Sequence, residues 1–161
     1  MRIGFGYDSH RFAEGRRLVL GGVEFPGERG LDGHSDADVA VHALMDALLG
    51  ALGEGDIGRH FPDSDPRYKG ISSLLLLDRV RELLHEAGFM PVNVDVTIVA
   101  QRPKLSGYMA QMRANIAGGL GAREDRVNIK ATTTERMGFE GEELGISAQA
   151  TVLLYHMTGG R

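Results

Sequence analysis

The stretch GHSDADVAVHALMDALLGALG, residues 33–53, decides how the rest of the chain is read. Val41, Leu44, Met45, Leu48 and Leu52 recur at the spacing of one helical face. The acids and serine ahead of them can cap the first turn, and Gly53 and Gly55 end the helix. Upstream, Ile3 to His10 reads as a strand that Gly4 and Gly6 make thin. Leu18-Val19-Leu20 and Val23-Glu24-Phe25, joined by Gly21-Gly22, read as a hairpin, because paired glycines suit the positive φ of a two-residue turn. Downstream, Asp56 to Gly70 carries prolines, glycines and acids and reads as loop. Leu76, Leu77, Val80, Leu83, Leu84 and Ala87 mark a second helix closed by Gly88. Val92, Val94, Val96, Ile98 and Ala100 alternate as a strand, and Leu105, Met109, Met112, Ile116 and Leu120 mark a third helix. Val127, Ile129 and Ala131 alternate again, and after a loop from Thr132 to Gly145 a last strand runs from Ile146 to Met157. Strands separated by helices imply an α/β single-domain sandwich, a mixed β-sheet backed by helices, expected over residues 1–161.

Composition bounds the chemistry. The chain has 161 residues, 42% of them hydrophobic and 25% charged, an ordinary globular balance. Its 23 glycines are about twice the usual share. With no collagen-like period, they point to tight turns and close backbone approach. A net charge of −4 without a basic run argues against a nucleic-acid partner. There is no cysteine, so disulfides, thiolate metal sites and a cysteine nucleophile are all absent, and any metal must sit on His, Asp or Glu. The apolar run Leu74–Leu77 is far too short to span a bilayer, and Met1-Arg2-Ile3-Gly4 reads at once as strand rather than as a signal peptide. No membrane partner is expected, and a cytoplasmic location is.

Two motifs converge on a metal. In Asp8-Ser9-His10, residues two apart on a strand share a face, so Asp8 and His10 can reach one ion. His42 lies on the helix into which Gly33 to Asp38 runs, on a stripe with Asp38 and Asp46 four residues either side. Asp8, His10 and His42 would form a three-ligand N/O site with one open position, the form of catalytic zinc sites. Asp46 is expected to steady His42 or a bound substrate, because a histidine ligand usually needs a partner for its other nitrogen. A satisfied histidine at a helix–sheet boundary is the plainer alternative for His42. Downstream, Lys130-Ala131-Thr132-Thr133-Thr134-Glu135 places three hydroxyls and a carboxylate at a strand end, suited to phosphate oxygens and a hard cation, or simply to β-propensity. Pro103-Lys104 offers a rigid turn and a cation, and Phe61-Pro62-Asp63-Ser64-Asp65 is either a flap over a ligand or a solvated turn. By these residues alone the chain carries a metal site beside a phosphate site.

The stretch 35–51 resembles the signature of the 2-C-methyl-D-erythritol 2,4-cyclodiphosphate synthase family. Gly4 to Phe12, Asp56-Ile57-Gly58, Phe61-Pro62-Asp63, Ala100 to Leu105 and Lys130 to Glu135 are similar to the same family in the same order, so the likeness covers nearly the whole chain. The resemblance implies a cyclising, CMP-releasing phosphorus–oxygen lyase of non-mevalonate isoprenoid precursor biosynthesis. The implied substrate is 4-diphosphocytidyl-2-C-methyl-D-erythritol 2-phosphate. It also implies a homotrimer with active sites between adjacent subunits.

By the family pattern Asp8, His10 and His42 hold Zn²⁺, and Glu135 holds Mg²⁺ or Mn²⁺ at the diphosphate. His34 and Thr133 stabilise the transition state. The implied substrate contacts run through Asp8, Ser9, His10, His34 and Ser35, then Asp56, Ile57 and Gly58. They continue through Phe61, Pro62, Asp63, Ser64 and Asp65. A neighbouring subunit supplies Ala100, Gln101, Arg102, Pro103, Lys104, Leu105 and Ser106 with Thr132 and Thr133, and Thr134 and Glu135 are further implied contacts. Phe139 completes the set. Many family members carry an arginine and a glutamate after Phe139, where this chain has Glu142 and Leu144. An acid there disfavours an anionic diphosphate, so binding of isoprenoid diphosphates in a central cavity is expected to be weak or absent. A metal-dependent nucleotide pyrophosphatase and a non-catalytic trimer binding zinc or isoprenoid diphosphate are the alternative readings.

Overall fold

A Cβ built on Gly4 would stand 1.8 Å from the carbonyl oxygen of Ala47, and one on Gly6 would stand 1.9 Å from that of Ala43. Strand β1 (Arg2–Ala13) and helix α1 (Val39–Leu52) therefore meet backbone to backbone, which only glycine permits at these positions. This computed structural model describes residues 1–157; residues 158–161, the end of the expected domain, lie outside the described residues.

The hairpin forms where its glycines predict, as β2 (Leu18–Leu20) and β3 (Val23–Phe25), with Gly21 at φ 56° and Gly22 at φ 72°. A two-residue strand, β4 (Gly30–Leu31), pairs with Phe12 and Ala13 at the end of β1. The loop expected over Asp56 to Gly70 contains a short helix, α2 (Ile57–His60), and a 3₁₀ turn at Pro66–Tyr68. The carboxylates of Asp56 and Asp65 cap them, accepting from the main-chain N–H of Arg59 and Arg67. Helix α3 (Ser73–Glu86) starts three residues before its expected apolar face, and β5 (Phe89–Val99) starts directly after Gly88 at φ 76°. Helix α4 (Met109–Leu120) is shorter than expected: Leu105 is buried in the preceding turn, so its apolar character marks core contact rather than helix. Strand β6 (Val127–Thr132), a one-turn helix α5 (Gly138–Gly141) and β7 (Gly145–His156) follow within the described residues.

The sheet runs β4-β1-β7-β5-β6. Strand β7 is antiparallel to both β1 and β5, whereas β5 and β6 are parallel and joined across α4. The mixed sheet expected from the sequence is thus present. Leu44, Met45 and Leu48 of α1, Leu77 of α3 and Met112 and Ile116 of α4 are fully buried against Ile98, Ala148 and Ala150. Each such side chain contributes roughly 1.5–3 kcal/mol by leaving water. The opposite sheet face is open: Ile3, Phe5 and Tyr7 alternate with Gly4, Gly6 and Asp8 along β1 and are 72%, 62% and 47% exposed. Among the described residues no helix is long and apolar enough to cross a membrane.

Candidate active site

The close seating of α1 on β1 carries His42 to the end of the strand where Asp8 and His10 share a face. Three atoms meet there. Asp8 Oδ2 lies 2.9 Å from His10 Nε2 and 3.1 Å from His42 Nδ1, and the two histidine nitrogens are 3.3 Å apart. A tetrahedral ion held at about 2.0–2.1 Å spreads its donors to about 3.3–3.4 Å, so this triangle takes one after a few tenths of an ångström of opening. Two imidazole nitrogens and one carboxylate oxygen are the donor set of an open-position site for a borderline divalent cation. Burial opposes ionisation of Asp8, yet hydrogen bonds from His10 and His42 outweigh it and hold the carboxyl well below the usual range. For His10, burial disfavours the charged form, but the Asp8 carboxylate and the Asp32 main chain outweigh it and raise the ring above its ordinary value.

The distal nitrogen of His42 is also engaged. His42 Nε2 lies 2.9 Å from Ser73 Oγ and 3.0 Å from Ser35 Oγ. Asp46 does not serve this nitrogen, contrary to the expectation from its four-residue spacing. Its Oδ1 accepts the N–H of Ile57 at 2.8 Å and so fixes the start of α2. Burial raises the Asp46 carboxyl, and the Ile57 N–H partly offsets this. Asp38, the other acid on the stripe, caps α1 and clamps the hairpin. It accepts from Val41 at 3.2 Å, Gly21 at 2.9 Å and Gly22 at 2.6 Å. Burial, with Asp36 beside it, pushes its carboxyl up to about 6.

The triangle opens into a cleft of about 240 Å³. Of the sequence-predicted residues, Asp8, His10, His34, Ser35, His42, Ile57, Gly58, Phe61 and Asp63 line it together. Tyr68 and Leu76 line it too and escaped sequence reasoning; Tyr68 stands edge-on to Phe61 at 5.4 Å, a tertiary contact with no local signal. Asp65 is turned onto Arg67, at 2.6 Å. Ser9 points to the other sheet face, where it lines a cavity of about 540 Å³ with Arg11, Phe12, Phe139 and Leu144. Glu142 does not line that cavity.

A separate cavity of about 400 Å³ gathers Ala100, Gln101, Pro103, Lys104, Leu105 and Ser106 with Thr132 and Thr133. Parallel pairing of β5 and β6 brings these strand ends together, the Ala100 N–H donating to Thr132 O at 3.0 Å. Met109 and Ala131 also line it, whereas Arg102 turns toward Glu143 at 3.5 Å. Beyond the threonines, Glu135 and Arg136 both hold left-handed backbone, at φ 54° and 67°. Non-glycine residues held there cost about 1–3 kcal/mol each, a strain that clusters at functional loops. The Thr133 hydroxyl donates to Glu135 Oε1 at 3.2 Å. The two cavities share no lining residue, and Glu135 does not reach the Asp8–His10–His42 group.

Fold and site together define an α/β protein with a candidate metal-binding triad lining a cleft of about 240 Å³. The chain belongs to the YgbB family, whose model matches residues 1–155. A 2-C-methyl-D-erythritol 2,4-cyclodiphosphate synthase of Symbiobacterium thermophilum is 62% identical over 96% of this chain and 98% of its own length. One of Caldicellulosiruptor bescii is 60% identical over 95% and 98%. Among solved structures, the bifunctional IspDF of Campylobacter jejuni superposes with a TM-score of 0.92 at 43% identity, covering 96% of this chain but 42% of that one. The CDP complex of IspF from Plasmodium falciparum superposes at 0.85 with 34% identity, covering 98% and 97%.

Proposed function

We propose that the chain converts 4-diphosphocytidyl-2-C-methyl-D-erythritol 2-phosphate into 2-C-methyl-D-erythritol 2,4-cyclodiphosphate and CMP. The observation that carries this reading is the convergence of Asp8 Oδ2, His10 Nε2 and His42 Nδ1 at the floor of a cleft walled by His34, Ser35 and α2. Those three side chains would hold Zn²⁺, and Glu135 would hold Mg²⁺ or Mn²⁺. Bound cations of this kind supply Lewis acidity and neutralise phosphate charge.

The chain's own groups position and shield. His34 and Ser35 offer N–H and O–H donors to phosphate oxygens, and Thr133 does so at the second cavity. Asp56 to Gly58 and the Phe61–Asp65 turn hold the methylerythritol part, while Ala100 to Ser106 hold the cytidine. An oxygen of the 2-phosphate bonds to the β-phosphorus as the bond from that phosphorus to the bridging oxygen breaks. The electron pair leaves with CMP. The attacking phosphate is already ionised, so no residue need remove a proton, and catalysis is orientation plus charge neutralisation.

The same proposal has three copies assembling with each active site between neighbours, one giving the metal corner and the next the 100–106 and 132–135 segments. Two features support it: the apolar open face of β1 at Ile3, Phe5 and Tyr7, and the division of candidate residues between unconnected cavities. A cytoplasmic location belongs to this proposal as well. Phosphorus-31 NMR of the protein with the cytidyl substrate, Zn²⁺ and Mg²⁺ tests the chemistry. Cyclic diphosphate with CMP is expected; an open-chain diphosphate would mean hydrolysis instead.

A further inference from the structure

Behind the metal corner lies a chain of hydrogen bonds that the reaction itself does not use. The Ser73 hydroxyl donates to Asp36 Oδ1, and the Ser73 main-chain N–H donates to Asp36 Oδ2 at 2.9 Å. Ser73 is fully buried at the first turn of α3, so no water competes for its hydroxyl. A serine hydroxyl has one proton, and that of Ser73 is spent on Asp36. Ser73 Oγ is then left as an acceptor toward His42 Nε2, at 2.9 Å. Ser35 Oγ, 3.0 Å from the same nitrogen, already accepts the Ala37 N–H at 3.2 Å.

We propose that Asp36 and Ser73 are positioning residues that lock His42 in its Nε2–H tautomer, aim the Nδ1 lone pair at the metal and free the Ser35 hydroxyl to donate into the cleft. The inference rests on the metal reading above. Its physical content is a choice between two neutral rings. With the proton on Nδ1, His42 would satisfy Asp8 by a hydrogen bond and close the triangle without a cation. With the proton held on Nε2 by Ser73, the His42 Nδ1 lone pair is turned toward Asp8 Oδ2 at 3.1 Å and His10 Nε2 at 3.3 Å, an arrangement that a divalent cation completes. An imidazole ligand oriented through its other nitrogen binds metal roughly 10–100-fold more tightly. The same arrangement divides labour between the two serines. Ser73 faces inward, whereas Ser35 lines the cleft and, no longer needed as the acceptor for Nε2–H, keeps its own proton for a phosphate oxygen.

The test compares Ser73→Thr with Ser73→Val, which have nearly the same volume and differ in the hydroxyl. Zinc affinity of the metal-stripped proteins is measured by competition with a chromophoric chelator. Ser73→Thr is expected to stay within about threefold of wild type, and Ser73→Val to weaken zinc roughly 10–100-fold. Should the extra methyl disturb the buried site, Ser73→Ala and Asp36→Asn are expected to shift affinity in the same direction as Ser73→Val. A second readout is independent of affinity. The zinc-loaded wild type should show a slowly exchanging His42 imidazole proton that exchanges fast in Ser73→Val. Equal zinc affinity in Thr and Val variants, or a protected imidazole proton in both, overturns the relay while leaving the metal site standing. A wild type that takes up no zinc overturns the metal reading and the relay together.

Discussion

The metal corner and the threonine edge are built in opposite ways. At the corner the polar side chains partner one another within one chain: Asp8 meets His10 and His42, His42 meets Ser73 and Ser35, and Ser73 meets Asp36. Half-buried or buried, these groups are held by β1, α1 and α3 at once. At the edge, Lys104, Ser106, Thr132 and Thr133 are exposed, and Glu135 stands on a left-handed turn. A region assembled before its ligand arrives loses little entropy on binding it, whereas an exposed edge gains order only when something docks against it. In the proposed trimer the corner would be one half of the site, and the edge the half that another copy completes.

The largest expected effects fall at the corner. His42→Ala or Asp8→Ala should remove zinc and cost several kcal/mol of transition-state stabilisation, about 10³-fold or more in turnover. Metal analysis and product formation would show this, and retained zinc with normal turnover would erase the distinction between the regions. Gly6→Ala should also be severe, because its Cβ would lie 1.9 Å from the Ala43 carbonyl. Forcing α1 off β1 should cost roughly 1–3 kcal/mol or more and separate His42 from Asp8. Urea unfolding and zinc titration together would measure both.

Asp38→Ala should leave three N–H groups without their acceptor, those of Gly21 and Val41, which are buried, and that of Gly22, which is partly so. A loss of about 2–4 kcal/mol in unfolding free energy is expected. Its pH dependence has a defined sign. The folded carboxyl is raised from 3.8 to about 6, so between these values the folded state holds more proton than the unfolded one. The contribution is full below 3.8 and is lost as pH rises through about 6. Asp38→Asn should flatten that slope in a metal-free unfolding series. The smallest effect belongs to the edge. Lys104→Ala should raise the KM for substrate only a few-fold, about 1 kcal/mol for one exposed cation, with kcat little changed.

What was legible in the sequence depended on how local its cause was. The Gly21-Gly22 hairpin and the Asp38-capped helix are local, and both form at the expected residues. The Asp8-x-His10 pair follows from the strand period, and its meeting with His42 was available because few donor types could bind a metal in a cysteine-free chain. The His42 half of the expectation for Asp46 fails for a physical reason. Spacing of four makes it a neighbour of His42 along α1, but the Ile57 N–H, brought in by the turn after the helix, captures its carboxylate. Ser73 lies 31 residues from His42, and the contact exists only because α3 packs on α1, so no window of sequence contains it. Leu105 shows the same limit in the core, its apolar signal coming from a buried turn rather than a helix.

Subunit complementation tests the central claim most directly. A chain disabled at the corner (His42→Ala) is mixed, under subunit exchange, with one disabled at the edge (Thr133→Ala with Glu135→Ala). Cyclic diphosphate formation is then followed by phosphorus-31 NMR. Each parent should be nearly inert. Random mixing into closed trimers should restore about a quarter of wild-type activity, since one in four sites then joins two intact halves. Mixed oligomers that form but stay inert would contradict the account and place both halves of the site in a single chain.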